Sequence, residues 1–202
     1  ETLELFANQA AIAVENSRLY ADMQQRLDNL TLFNEVGRSI GAKLDLDSLM
    51  ATVLDASIEL VSSQHATIFL RDPVDGKFAP RKAVGFDLDL MNRMRFGPNE
   101  GLVGAIIADP RGLIVPDIQA ESRFVQHPVS VEVRSMLLVP LSAAGHLIGV
   151  LSVDKFVPNG FTNTDLVVLS TLADQAAVAI ENARLFEESQ RRLQEQLLLY
   201  EA

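Results

Sequence analysis

Apolar residues recur at helical spacing from the start of the chain through Leu30, Phe33, Val36 and Ile40, and the pattern predicts one long helix from Glu1 to about Ile40. Gly37 and Gly41 weaken its far end. Asp45 or Asp47 is placed to cap a second helix running to about Val61, with Leu49, Val53, Leu54, Ile58 and Val61 on its buried side. The period then falls to two. Ala66 to Arg71 and Lys77 to Val84 read as strands joined by the turn Asp72-Pro73-Val74-Asp75-Gly76, an antiparallel hairpin. Phe96 to Ala108, with Gly97, Gly101 and Gly104, predicts a turn and then a short helix. Leu113 to Val115 is a short strand stopped by Pro116, and Asp117 to Val129 is loop with a helical turn. Ser135 to Leu141 and His146 to Asp154, joined through Ala143-Ala144-Gly145, form a second hairpin. Helical spacing returns at Asn163 behind Thr162-Asn163-Thr164-Asp165, which resembles a capping box, and no breaker follows before Ala202. Two hairpins flanked by helices predict the α+β class, with an antiparallel sheet of five or six strands covered on at least one face by helices.

One run occurs twice. Leu172 to Phe186 (Leu-Ala-Asp-Gln-Ala-Ala-Val-Ala-Ile-Glu-Asn-Ala-Arg-Leu-Phe) nearly repeats Phe6 to Tyr20 (Phe-Ala-Asn-Gln-Ala-Ala-Ile-Ala-Val-Glu-Asn-Ser-Arg-Leu-Tyr), with every difference a swap of similar size or polarity. The expectation is that the chain begins inside the closing helix of one unit, runs through one complete unit, and is a piece of a longer tandem protein. Asn163 to Tyr200 allows a helix of about 57 Å at roughly 1.5 Å per residue, against a globule of about 35 Å for the intervening residues, so the helix is expected to overhang its own domain. Phe186, Leu193, Leu197 and Tyr200 follow at coiled-coil spacing, as do Tyr20, Met23, Leu27 and Leu30, which predicts a dimer seam. Asn16 and Asn182, equivalent in the two copies, either fix helix register or cap a surface turn.

Composition narrows the function. Hydrophobic residues make up 48 %, ample for a core, and the net charge of −10 argues against nucleic acid or an anionic membrane as direct partners. Arg71, Lys77, Arg81, Lys82, Arg93 and Arg95 are loosely gathered, but no aromatic run is interleaved with them, so a solvated sheet edge is expected. The chain has no cysteine, which excludes disulfides, thiol catalysis and any thioether-linked cofactor such as a covalently attached bilin on these residues. No apolar run is expected to reach the 18 or so residues that span a bilayer, and a cytoplasmic location follows as the expectation.

The order helix, helix, Ala66-Thr-Ile-Phe-Leu-Arg-Asp, Pro98-Asn-Glu-Gly-Leu-Val-Gly104, Val115-Pro-Asp-Ile118, Ser122-Arg-Phe124, Leu138-Val-Pro-Leu141, Ile148-Gly-Val-Leu-Ser152, Phe161-x-x-x-Asp165 and Gln175-Ala-Ala-x-Ala-Ile-Glu-Asn182 resembles a GAF domain. The resemblance places the closing helix of a preceding GAF repeat and a connecting helix at 1–29, the GAF domain at 30–186 and a coiled-coil-like output helix at 187–202. It implies a six-stranded antiparallel sheet with helices on both faces and long terminal signalling helices. It implies too a small-molecule pocket roofed by the short helix and the loop from Asp117 to Pro128, so that Phe69, Phe86, Phe96, Val115, Asp117, Phe124 and His127 are its candidate lining. A parallel homodimer through the terminal helices is the partner implied, with an output domain in the same polypeptide.

Asp154-Lys155 followed by Phe161-x-x-x-Asp165 is similar to the N-K-F-D-E pattern of cyclic-nucleotide-binding members, with Asp154 for Asn and Leu166 for the final Glu. The resemblance implies that Lys155 and Asp165 pair. Asp165 also has an independent use as a negative charge at a helix N-terminus, and the pattern is read as structural rather than as a nucleotide site.

His65, His127 and His146 fall before the first strand, in the roof loop and in a hairpin turn, so they are not expected to share a metal. A haem ligand at His127 is conceivable, but a locally hydrogen-bonded loop histidine is far commoner and no haem is expected. Gly97-x-x-x-Gly101-x-x-Gly104 lacks dinucleotide spacing, and no Ser, His and Asp constellation or carboxylate pair is suggested, so no enzyme is expected. Two readings stay open: a sensory module whose small ligand biases a helical relay to an output domain, and a ligand-free dimerisation spacer whose aromatics merely fill a core.

Overall fold

A computed structural model describes residues 46–91, 93–124 and 132–200, with the side chains of residues 90, 195 and 197–200 outside the description. Tyr20, Met23, Leu27, Leu30 and His127, with the expected first helix, lie outside the described residues.

Helix α1 spans Leu46–Val61. Leu46, Leu49, Met50, Val53, Leu54 and Val61 are buried at spacings of three, one, three, one and seven, a single apolar stripe. Its first turn is tied across the fold, where the Leu46 N–H donates to Glu187 Oε1 at 3.3 Å; a carboxylate at that end also meets the positive pole of the helix. Strands β1 (His65–Arg71) and β2 (Phe78–Val84) form the first hairpin. Two short helices follow, α2 (Leu88–Met91) and α3 (Gly101–Ala108), then strand β3 (Leu113–Val115) and a 3-10 turn at Ile118–Ala120. The second hairpin is β4 (Ser135–Ala143) and β5 (His146–Lys155), turned at Ala144 and Gly145, whose φ angles of +50° and +80° form the left-handed pair that a two-residue hairpin requires. Helix α4 closes the described fold at Asn163–Tyr200, 38 residues long.

The strands form one antiparallel sheet in the order β2-β1-β5-β4-β3. Register fixes what each face carries, because side chains alternate along a strand. On one face Ala66, Ile68, Leu137, Val139, Leu151 and Val153 are fully buried, in the layer where α1 and α4 pack. Leu169, Leu172, Ala173, Ala176, Ala177, Ile180 and Ala183 supply the matching stripe of α4, whose alanines let the helix approach closely. The other face carries Phe69, Leu138, Val150 and Val115 under Met91, Leu102, Val103 and Ile106 of α2 and α3. Helices thus cover both faces, long on one side and short on the other.

Five strands are described where six were expected. The missing partner is reduced to a single bridge, in which Phe78 and Phe96 exchange N–H···O bonds of 2.9 Å along the free edge of β2. Gly97 and Pro98 follow at once, and a proline has no N–H with which to continue a ladder.

The amino end of α4 is a capping box, as its sequence predicts. Asp165 accepts from the Thr162 N–H at 2.7 Å and hydroxyl at 2.8 Å, while the Asp165 N–H donates back to the Thr162 hydroxyl at 3.2 Å. The expected pairing of Lys155 with Asp165 does not form. Lys155 instead donates to the Gly160 carbonyl at 2.8 Å and lies over the Phe161 ring at 4.6 Å, so the cap claims one partner and the preceding turn the other.

Beyond Ala183 the helix leaves the core, and every described side chain from Ser189 onward is exposed. Phe186 is half-buried, Leu193 is 52 % exposed, and Leu197 and Tyr200 occupy the last turns. Asn182 is exposed in the single chain. Contrary to the expectation of no long apolar run, Asn163–Gln194 meets the length and composition of a membrane span, at a mean hydropathy of 1.2 over 18 residues. The residues that raise its hydropathy are largely those packed on the sheet.

Candidate ligand-binding site

Between the sheet and the short helices lies a cavity with about 80 Å³ of space for the centres of water-sized molecules. That is several times the roughly 10–15 Å³ one water needs. Its walls are apolar. Phe86, Met94, Phe96 and Phe124 surround it, Met91, Leu102 and Val103 descend from α2 and α3, and Phe69, Val133 and Met136 complete the shell. Phe69 and Phe96 meet edge to face, their centroids 5.7 Å apart. Gly104 lets α3 come down this far, since a β-carbon there would stand 2.5 Å from the Gly97 carbonyl oxygen. Gly101 starts that helix at φ +67°. Gly101 thus serves the turn expected here, and Gly104 the close packing of the helix that follows.

The floor is polar, and strand register builds it. Ser152 of β5 stands opposite Thr67 of β1 and Leu138 of β4, and Asp154 stands opposite His65 and Met136. Thr67, Ser152 and Asp154 all line the cavity, and each is buried. Asp154 is 2 % exposed, and among the described residues its carboxyl receives one hydrogen bond, a long one of 3.3 Å from the Ser152 hydroxyl. Burial pushes its pKa up to about 7, with the Ser152 bond pulling weakly the other way. The Thr67 hydroxyl has no hydrogen-bond partner among the described residues, nor does Nδ1 of His65. The His65 ring lies against Phe86 and Phe156, with centroids at 4.0 and 4.9 Å. Desolvation lowers its pKa, with Glu132 opposing, so it is neutral near pH 7. No lysine or arginine lines the cavity among the described residues.

Four of the residues expected here, Phe69, Phe86, Phe96 and Phe124, come together around the cavity. Val115 is buried beside it in the same apolar cluster without lining it. Asp117 does different work. Its carboxylate accepts from the Gln119 N–H at 3.1 Å and from Arg134 Nη2 at 3.0 Å, and Arg134 holds its pKa below the usual carboxylate range. The backbone doubles the clasp, for the Ile118 N–H donates to the Arg134 carbonyl at 2.9 Å and the Arg134 N–H to the Lys155 carbonyl at 2.8 Å. The start of the roof segment is thereby tied to Arg134, which in turn extends the pairing of β4 with the end of β5. The polar floor was missed by sequence reasoning, although its signal was present: Ser152 and Asp154 alternate with Leu151 and Val153 in the buried stretch of β5. Among the described residues no group of three or more His, Cys, Asp and Glu side chains is arranged to hold a metal.

The family profile described as GAF domain matches residues 43–181, well over half of the chain. The chain belongs to the GAF domain family. Among curated proteins, this GAF chain is 26 % identical over 179 residues to a Nif-specific regulatory protein of Azospirillum brasilense, an alignment covering 84 % of the chain and 28 % of the relative. It is 23 % identical over 163 residues to the nitrogen fixation protein VnfA of Azotobacter vinelandii, covering 77 % and 31 %. The chain thus spans less than a third of the length of these relatives, which are regulatory and nitrogen-fixation proteins by name. Among solved structures, the GAF domain of a phosphoenolpyruvate-protein phosphotransferase from Coxiella burnetii superposes with a TM-score of 0.68 at 20 % identity, covering 82 % of this chain and 96 % of that one. The free methionine-R-sulfoxide reductase of Neisseria meningitidis, solved with its substrate, gives 0.61 at 22 % identity, covering 77 % and 88 %. These likenesses carry the fold. The GAF fold hosts enzymes as well as regulators, and function follows from the site.

Proposed function

We propose that this GAF domain is the sensory module of a multidomain regulatory protein of the signal-transduction type, that its cavity binds a small molecule, and that α4 passes the bound state to an output domain in the same polypeptide. One observation carries the reading: an apolar cavity whose floor holds a buried carboxyl and a buried hydroxyl with unmet hydrogen-bonding capacity. Leaving such groups unpaired in a core is costly, whereas a ligand that pairs them recovers that cost on binding. The regulatory names of the curated relatives agree with it.

The relay requires two copies. Val167, Val178, Leu185 and Leu193 are each at least half exposed along α4, at spacings of eleven, seven and eight, a stripe that a second parallel α4 would cover. Asn182 lies between Val178 and Leu185 in sequence, and in this reading it sets their register. Phe6–Tyr20, the earlier copy of the α4 run, is assigned to a preceding GAF unit of the same protein, which acts in the cytoplasm. Ligand contacts present in only one of two helix arrangements would shift the population, and a ligand that binds both equally would shift nothing.

Thermal shift against a metabolite library tests the ligand half. A compound that raises the melting point in proportion to the logarithm of its concentration is expected. Silence across the library at high concentration sinks it and leaves the ligand-free spacer, which the closeness of the four phenylalanines around a small space favours. Light scattering over a dilution series tests the dimer half, and a monomer at every concentration would refute pairing through α4 in this chain.

A further inference from the structure

The cavity has one ionisable group in its lining, the Asp154 carboxyl, and that charge has no cation to answer it among the described residues. Arg134 is held by Asp117, and Lys155, next in sequence, points to the opposite face and is held by Gly160 and Phe161. A carboxylate offers about four acceptor positions, of which Ser152 takes one. Thr67, two residues along β1 from the position opposite Asp154, adds an unpaired hydroxyl to the same floor. Acceptors therefore outnumber donors around the floor. An anionic ligand, phosphate or carboxylate, would bring a second negative charge beside the buried Asp154 carboxyl and meet no lysine or arginine in the described lining; the first turn of α3, Gly101 to Val103, is the one source of partial positive charge there, and it stands in the roof, whereas the acceptors are in the floor. The walls add to the contrast, because the faces of aromatic rings attract positive charge, and Phe69, Phe86, Phe96 and Phe124 line this space.

We propose that the cavity takes a small organic cation, an ammonium or amidinium head on a compact apolar body, with its N–H groups donating to Asp154 and to the Thr67 and Ser152 hydroxyls and its body among the four phenylalanines. The inference rests on the sensory reading of the same cavity and names the ligand class for it. The space is about half that of a cavity that takes benzene, roughly 150 Å³, so it seats the cationic head and the first few atoms of the body, and the rest of the body lies in the open mouth of the cavity. Binding is non-covalent, and the single chemical event is release of the Asp154 carboxyl proton to solvent when the cation enters below neutral pH. The group facing Asp154 from β1 is His65, which stays neutral near pH 7. Met136 faces it from β4 and Met91, Leu102 and Val103 from the helical roof, none of them titratable.

The test uses the whole chain and three probes of one shape: benzylamine, benzyl alcohol and benzoate, each read by thermal shift and by titration calorimetry. Benzylamine is expected to stabilise, benzyl alcohol to do so weakly, and benzoate not at all. The affinity for benzylamine is expected to be about tenfold higher at pH 8 than at pH 6, as a carboxyl titrating near 7 loses its proton while the amine stays charged. Asp154→Asn, of the same shape, should abolish the preference for the amine and flatten the pH profile. Thr67→Val, also of the same shape, should weaken benzylamine several-fold while keeping the preference. Benzoate or benzyl alcohol binding as well as benzylamine would overturn the cation while leaving the sensory reading intact. Benzylamine binding that survives Asp154→Asn unchanged would do the same, since a chain of net charge −10 attracts cations elsewhere. No response to any of the three probes would also overturn it, and only silence from the metabolite library as well would remove the sensory reading.

Discussion

The two faces of one sheet are built to different rules. On the α1 and α4 side, alternate residues of β1, β4 and β5 are aliphatic and fully buried, and nothing there asks for a partner. On the other side the same strands present Thr67, Ser152 and Asp154 in the middle of the sheet, beneath a roof of short helices that leaves space above them. The dry face holds the fold together. The polar face spends part of that stability on groups whose interactions are incomplete, which is the expected condition of a site awaiting a ligand. A one-residue step along β5, from Leu151 to Ser152, crosses from one regime to the other.

That contrast breaks most sharply at adjacent residues. Leu151→Ala, on the dry face, should cost roughly 2–5 kcal/mol in urea unfolding, as deletion of a fully buried leucine does. Asp154→Asn should act in the opposite direction, with a dependence on pH. The folded pKa is raised to about 7, so the acid's contribution is whole below its unfolded value near 4 and is lost as pH rises through 7. The variant should therefore match the parent near pH 4 and exceed it by up to about 4 kcal/mol above pH 7, and equal pH profiles would show that Asp154 is not desolvated. Thr67→Val should stabilise the ligand-free chain by about 1–3 kcal/mol through removal of an unpaired hydroxyl, checked by the same unfolding curves; a loss would mean that the hydroxyl has a partner. Asp117→Ala is expected to leave the melting point almost unmoved, because the pair is partly exposed. Amide exchange from Ile118 to Phe124 should nonetheless quicken, since the clasp that pins the roof is lost, and unchanged exchange would mean that the backbone bonds alone hold it.

Much of the dry face was legible in the sequence. The span of α4, the capping box at Thr162 and both hairpins follow from local periodicity and turn chemistry, which act within a few residues. The cavity was legible only as far as its phenylalanines, because large aromatics advertise themselves and a polar residue inside a strand does not. Asp154 was read through a motif in which Asn stands at its place, and that comparison drew attention to Lys155 and Asp165, which prove to be engaged elsewhere. The meeting of Thr67 with Ser152 depends on pairing between strands some 85 residues apart, and no local pattern reports that register. The sixth strand failed for a local reason that was visible all along, the proline two residues after Phe96.

The long helix has one further consequence. Between Ala183, its last buried residue among the side chains described, and Tyr200 it extends about 25 Å at roughly 1.5 Å per residue, with no glycine or proline to act as a joint. It is a lever arm whose fulcrum is the edge of the core. A tilt of about 10° at the sheet, an adjustment of an ångström or so among the side chains of the dry face, would swing the far tip by about 4 Å, roughly three-quarters of the rise of one helical turn. In the relay proposed above, gearing of that kind would convert a change too small to disturb the packing into one large enough for a neighbouring domain to register.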